Sequence, residues 1–262
     1  MPHELELYGR WLRRDLSQRY AGSALGPLWL LLQPLSFIVV ITLVFNGFFQ
    51  TKWPGGDGSA LDYGLKVFVG LAVHNFLAEV LTRAPGSIVS HAYLVTKVRF
   101  PLPLLPAVAC GVALVQLLLT FVVVMVAALA WGGLSVGQVL QSWWALPLVL
   151  APSVLLVFGL GWFLAGLGTY LRDVSNLMPA VSGFLMFLMP VFYPAELVPP
   201  ALAWLVNFNP LAWAIESARG ILFQGALPDL GPALAHTVGS AGAALGGWWF
   251  FKRVRSGFAD VL

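Results

Sequence analysis

Four arginines, Arg10, Arg13, Arg14 and Arg19, stand close together near the start of the chain, where Leu5, Tyr8, Leu12 and Leu16 recur at three- and four-residue spacing. That spacing gives a helix with one apolar face, which lies in a membrane interface with its guanidinium groups on the other faces. Planar guanidinium suits bidentate contact with a phosphate or an anionic lipid head group. Two readings stay open on these residues alone, a plain lipid anchor and an anion-holding surface. Other chemistries are poorly supplied. His3, His74, His91 and His236 are scattered and form no HExxH pattern, so no metal site is expected. Cys110 is the only cysteine and closes neither an intrachain disulfide nor a cysteine-pair metal site. No lysine follows a glycine, which excludes the GxxxxGK[ST] phosphate loop and ATP binding of that kind. No nucleophile and base pair up, as an embedded enzyme would require.

The elements that carry these residues must be membrane helices. Of 262 residues, 59% are hydrophobic and only 10% charged, and the mean hydropathy is +0.85; too little polar surface remains to cover a globule in water. A soluble enzyme is excluded. Residues 28–49, 63–82, 104–130, 144–169, 177–193 and 232–251 read as six spans in an all-α integral membrane protein. A segment 1–27 precedes them as an amphipathic interface helix, and a tail 252–262 follows. Nothing in residues 3–20 resembles a cleavable signal, the segment being rich in charge. Eleven of the 14 basic residues fall on one side of this topology, so both termini are expected in the cytoplasm and the +3 charge is an orientation signal rather than a nucleic-acid one. Glu79 is the only acidic residue inside a span, which disfavours a proton- or sodium-coupled pump.

Two connections are too elaborate to be plain loops. Residues 83–103 are expected to form a helix begun by Pro85 and ended by Pro101 and Pro103. Its Ser87, Ser90, His91, Tyr93, Thr96, Lys97 and Arg99 suit either a docking surface or a solvated face. Residues 194–231 read as a re-entrant pair of short helices, 201–208 and 211–223, broken at Asn209-Pro210. Glu216 and Arg219, three apart, pair on one face, either as a structural ion pair or as the mark of a pathway. Aromatic residues cluster where the outer leaflet is expected and form an interfacial belt, with a subset free to line a path. Gly239, Gly242, Ala243, Gly246 and Gly247 make a small-residue stripe on the last span, expected to serve internal packing.

In order, the chain carries Arg14-Asp15-Leu16-Ser17-Gln18-Arg19-Tyr20, Leu25-Gly26-Pro27-Leu28-Trp29, Gln33-Pro34-Leu35, Phe100-Pro101, Leu171-Arg172-Asp173-Val174, Pro190-Val191-Phe192-Tyr193-Pro194 and Asn209-Pro210. This series resembles the type-2 export permeases of ABC transporters, and within them the permeases that export O-antigen and related cell-surface polysaccharides. The resemblance covers nearly the whole chain, except the Gly-rich loop at 55–58 and the stretch Pro228–Pro232. It implies a homodimer of this chain in the inner membrane, bound to two copies of an ABC nucleotide-binding subunit that holds ATP and magnesium, with no cofactor and no catalysis in this chain. The implied substrate is a polyprenyl-pyrophosphate-linked polysaccharide, its pyrophosphate met by Arg10, Arg13, Arg14 and Arg19. A channel at the dimer interface would be lined by aromatics drawn from Phe37, Phe45, Phe48, Phe192, Tyr193, Trp204 and Trp213, whose flat faces suit the C–H faces of sugar rings. Ser87, His91, Tyr93, Lys97 and Arg99 would receive the push of the ATPase subunit, and Glu216 with Arg219 would shape an outer gate. Capsule or teichoic-acid polymers are near alternatives; a passive channel and a lipid-modifying membrane enzyme are the alternatives of another class.

Overall fold

A computed structural model describes residues 2–19, 21–44, 52–54, 56, 58–98, 100–131, 137 and 141–262. Its described elements are helices: α1 (Pro2–Arg19), α2 (Trp29–Thr42), α3 (Ala60–Arg83), α4 (Ala92–Thr96), α5 (Leu104–Trp131), α6 (Leu146–Tyr170), α7 (Asp173–Leu188), α8 (Ala203–Asn207), α9 (Pro210–Arg219), α10 (Leu230–Val254) and α11 (Phe258–Val261). Among the described residues three helices are long and apolar enough to cross a membrane, Ala60–Arg83, Leu104–Ala130 and Trp143–Tyr170. The chain is therefore a multi-pass helical membrane protein. α2 and α7 are shorter apolar helices. α10 has the length of a span, 25 residues, with glycine and alanine diluting its apolar content.

α3 is buried along most of its length, from Tyr63 to Leu81, and forms the axis on which α2, α5, α6, α7 and α9 pack. Its uniform burial explains why it tolerates Lys66 and His74 among valines: each faces protein rather than lipid. The most extensive pairing joins α10 to α6. A Cβ on Gly247 would stand 2.0 Å from the Gly159 carbonyl oxygen, and one on Gly159 2.6 Å from the Ala244 Cα, so two backbones touch where both lack side chains. The small-residue stripe divides at this point. Gly247 packs, whereas Gly239, Gly242 and Gly246 have nothing within 4 Å of a built Cβ and face outward.

Three expected boundaries shift. Residues 83–103 do not form one helix from Pro85: α3 gives way to turns over 84–88, a 3-10 turn at Val89–His91 and the five-residue α4. Pro85 is instead packed on α6, where Gly168 leaves room for its backbone at 2.4 Å from a built Cβ. The fifth apolar segment starts at Asp173, which supplies a carboxylate to the first turn, and stops at Leu188, five residues before Tyr193. Met189 is extended and the chain runs on without helical bonding. In residues 194–231 the expected helices 201–208 and 211–223 are replaced by α8 and α9, separated where the Asn209 side chain accepts from the Leu211 amide and Pro210 takes the first helical position, as an N-cap followed by proline should.

Candidate functional site

α1 does not float free of the bundle. A built Cβ on Gly111 would lie 2.0 Å from the Tyr8 hydroxyl, so the glycine opens a seat on α5 for α1. Burial there pushes the Tyr8 phenol above its usual range. Trp11 packs on Phe100 at 5.1 Å and edge-on to His91 at 5.6 Å between ring centroids. Arg14 covers the other side of Trp11, its guanidinium carbon 4.0 Å from the ring centroid. α1 and the segment 83–98, expected separately to receive substrate and ATPase, thus meet through Trp11.

One turn on, four charges alternate between α1 and α3. Asp15 accepts from Arg83 at 2.7 Å, and Arg19 donates to both oxygens of Glu79 at 2.9 Å. Arg83 also reaches Glu79 at 3.2 Å, and Arg19 reaches the Gln116 side-chain oxygen of α5 at 2.8 Å. Asp15 and Gln116 are not among the expected site residues. A signal was present nonetheless: Asp15 with Arg19 and Glu79 with Arg83 are two acid-base pairs at the same four-residue spacing, and antiparallel docking of two such helices cross-pairs all four.

Beyond Arg19 a cleft of about 320 Å³ opens between α2, α3 and α5. Gln33 and Phe37 from α2, Asn75 and Glu79 from α3, and Gln116 and Thr120 from α5 line it. Each pair is four residues apart, so each helix presents one turn-spaced stripe to the same space, polar on α3 and α5 and mixed on α2. A second cleft, of about 290 Å³, takes Arg14, Asp15, Arg83, Ser87, Ser90 and His91. Among the described residues no group of histidine, cysteine and carboxylates is placed to hold a metal ion.

The structure distributes the expected site residues as follows. Arg10 pairs with Glu6 on its own exposed turn, Arg19 is held by Glu79, and Arg13 has no side-chain partner among the described residues. Ser87 donates to the Ala84 carbonyl at 2.7 Å, and His91 Nδ1 lies 3.0 Å from the Ser87 carbonyl. Tyr93 and Lys97 are exposed on and just past α4. Phe37 lines the α2–α3–α5 cleft without the other candidate aromatics among the described residues. Tyr193 donates to the Phe187 carbonyl at 2.9 Å, and Phe192 stands 6.0 Å from Phe187. Trp204 is exposed, whereas Trp213 stacks on His236 at 5.2 Å. Phe45, Phe48 and Arg99 lie outside the described residues.

Glu216 and Arg219 do pair, at 2.8 Å. Arg219 is buried, and its remaining donors go to the carbonyls of Pro190 and Val191 at 2.7 Å and of Lys66 at 2.9 Å. The Trp53 ring lies 4.5 Å from its guanidinium carbon. Carbonyls freed by the end of α7 are thereby satisfied inside the protein, which is why the chain can leave helix at Met189. Gly70 makes the space: a Cβ there would meet the guanidinium at 2.8 Å and the Val191 Cα at 2.9 Å. Burial pushes the Glu216 carboxyl above the usual range and Arg219 pulls it back, while burial lowers Arg219 to about 10, leaving it charged at neutral pH.

The sequence of the chain is similar to those of known proteins along most of its length. The O-antigen export system permease protein RfbA of Klebsiella pneumoniae is 24% identical over 250 residues, 95% of this chain and 92% of the relative. RfbA of Myxococcus xanthus is 26% identical over 258 residues, 96% and 93% of the two chains. The polysialic acid transport protein KpsM of Escherichia coli is 20% identical over 220 residues, 82% and 81%. The sequence family described as ABC-2 type transporter matches residues 7–223, from within the docked helix to the last turn after Arg219, and the chain belongs to that family.

Proposed function

We propose that this chain is the membrane subunit of an ATP-driven exporter that moves a lipid-linked cell-surface polysaccharide, O-antigen first among the candidates, out of the cytoplasm. The observation that carries the reading is likeness to O-antigen export permeases over more than nine-tenths of both chains. Likeness to a polysialic acid transport protein keeps a capsule-type polymer as the second reading. The working unit is a homodimer in the inner membrane, each copy with six spans and cytoplasmic termini, joined to two copies of a nucleotide-binding subunit that hold ATP and magnesium. Membrane lipid surrounds it.

Arg13 and Arg14 of the four arginines are the pyrophosphate contacts this reading favours, because Arg10 and Arg19 already have carboxylate partners. A guanidinium that keeps its carboxylate has fewer donors left for a phosphate. The polymer then follows a path lined by aromatics such as Phe37, Tyr193 and Trp204. The ATPase subunit pushes on 83–98, and the Trp11–His91 contact passes that motion to the substrate-bearing helix. Glu216 and Arg219 hold the outer segment against α3 while this happens. Deleting the gene and assaying surface polysaccharide tests the reading: loss of the polymer with accumulation of its lipid-linked form inside the cell supports it, and unchanged surface polymer contradicts it.

A further inference from the structure

We infer that the cleft between α2, α3 and α5 holds a sugar ring of the lipid-linked substrate, next to its phosphates, through the amides of Gln33, Asn75 and Gln116 and the face of Phe37. The inference rests on the proposed function and adds a subsite to it. Three primary amides from three helices open into one space of about 320 Å³. That volume is at the small end of the roughly 300–1,000 Å³ of ligand pockets, room for one or two rings rather than a polymer. Polar side chains on membrane helices are costly unless they meet protein, water or a ligand. Asn75 and Gln33 are exposed to the cleft, and their side chains make no hydrogen bond to the described residues.

Charge decides what fits. Arg19 is neutralised by Glu79 and Arg83 by Asp15, so the cleft offers no unpaired cation to a phosphate. An amide carries both donors and an acceptor, the complement of vicinal hydroxyls, each of which donates and accepts. Phe37, 47% exposed and one turn from Gln33, adds the flat apolar face that a ring's C–H side needs. An uncharged polyhydroxylated ring uses the amide donors, the amide acceptors and the Phe37 face of this cleft, whereas an anionic head group uses the donors alone. The phosphates stay outside, toward Arg13 and Arg14.

The test uses the full-length chain in lipid nanodiscs with three probes: a short polyprenyl pyrophosphate bearing one hexose, the same lipid without the sugar, and phosphatidylglycerol. The unaltered chain binds the hexose probe about tenfold tighter than the sugar-free one, as expected from two or three extra hydrogen bonds. Asn75→Ala and Gln33→Ala each remove most of that difference and leave the sugar-free affinity unchanged. The two side chains sit on different helices and support no protein hydrogen bond, so one variant carries the test if the other does not fold. If the chain prefers the hexose probe and neither variant alters the preference, the sugar sits elsewhere and this inference alone falls. Equal loss for both polyprenyl probes, or a variant effect confined to phosphatidylglycerol, assigns the cleft to lipid and also overturns it. Binding of neither polyprenyl probe by the unaltered chain removes the proposed function together with the subsite.

Discussion

Arg19, the last residue of the amphipathic helix, grips both carboxylate oxygens of Glu79 at 2.9 Å, while Glu79 sits one turn before the end of the most buried helix. The contact turns the carboxylate near the end of α3 into half of a neutral pair, and it binds α1 to the axis of the bundle. With Asp15 and Arg83 it forms a four-charge ladder in which every member has an opposite partner. Such a ladder in partly exposed surroundings contributes register and specificity more than stability.

The ladder predicts non-additive losses. Arg19→Ala and Glu79→Ala each lower stability by about 1 kcal/mol, and the double variant loses no more than either alone, a coupling of the size seen for partly exposed ion pairs. Thermal unfolding in detergent of the four proteins of the cycle measures it; simple additivity rules out the pair as a unit.

Arg219 predicts a larger effect. Arg219→Met strands the carbonyls of Pro190 and Val191 and leaves Glu216 without its cation, at about 3–5 kcal/mol for breaking a buried pair. Arg219→Lys keeps the charge but not the planar fork, and recovers less than half of the loss. Folded yield and unfolding temperature read both variants.

Much of this was legible in the chain. The uncharged runs ending at Ala130 and Thr169 could only be membrane helices, and Asn209-Pro210 announced a helix start by its cap and fixed φ. The end of α7 was not legible, because hydropathy continues through Val191 and Phe192 while the cause of the break, the Arg219 guanidinium, stands about thirty residues away. Pro85 misled for a similar reason: a proline suits a first helical turn, but here its backbone is held against Gly168 by tertiary packing. The partners of Arg19 and Arg83 required knowing that α1 docks antiparallel to the end of α3, a long-range fact that the matching four-residue spacings hinted at without stating.

The glycine contacts on α6 and α10 give a prediction with a built-in control. Gly247→Val forces α10 away from α6 and costs about 2 kcal/mol or more, as overpacking does, whereas Gly242→Ala, with nothing near its Cβ, is neutral or slightly stabilising. Unfolding temperatures of both variants decide it; equal effects contradict the close approach.

The seat of α1 on α5 is tested by rescue. Gly111→Ala places a methyl group against the Tyr8 hydroxyl and loosens α1, while Tyr8→Phe in the same chain removes the oxygen and restores docking. Crosslinking yield between cysteines introduced on α1 and α5 reports the position of the helix, and failure of the rescue assigns the loss to another contact.

For the segment that meets Trp11, His91→Ala, Tyr93→Ala and Lys97→Ala are expected to leave ATP hydrolysis by the assembled transporter within about twofold while cutting export at least tenfold, a loss of coupling of about 1.4 kcal/mol or more. Parallel assays of hydrolysis and surface polymer separate this from simple misfolding, which lowers both.

The central claim, that this chain is the membrane half of an ATP-driven exporter, is tested most directly by purifying the tagged full-length chain from its native membranes and assaying the material for bound partners and ATPase activity. The account predicts co-recovery of a separate subunit carrying a GxxxxGK[ST] phosphate loop, with vanadate-sensitive ATP hydrolysis. Recovery of the chain without such a subunit and without hydrolysis would contradict it.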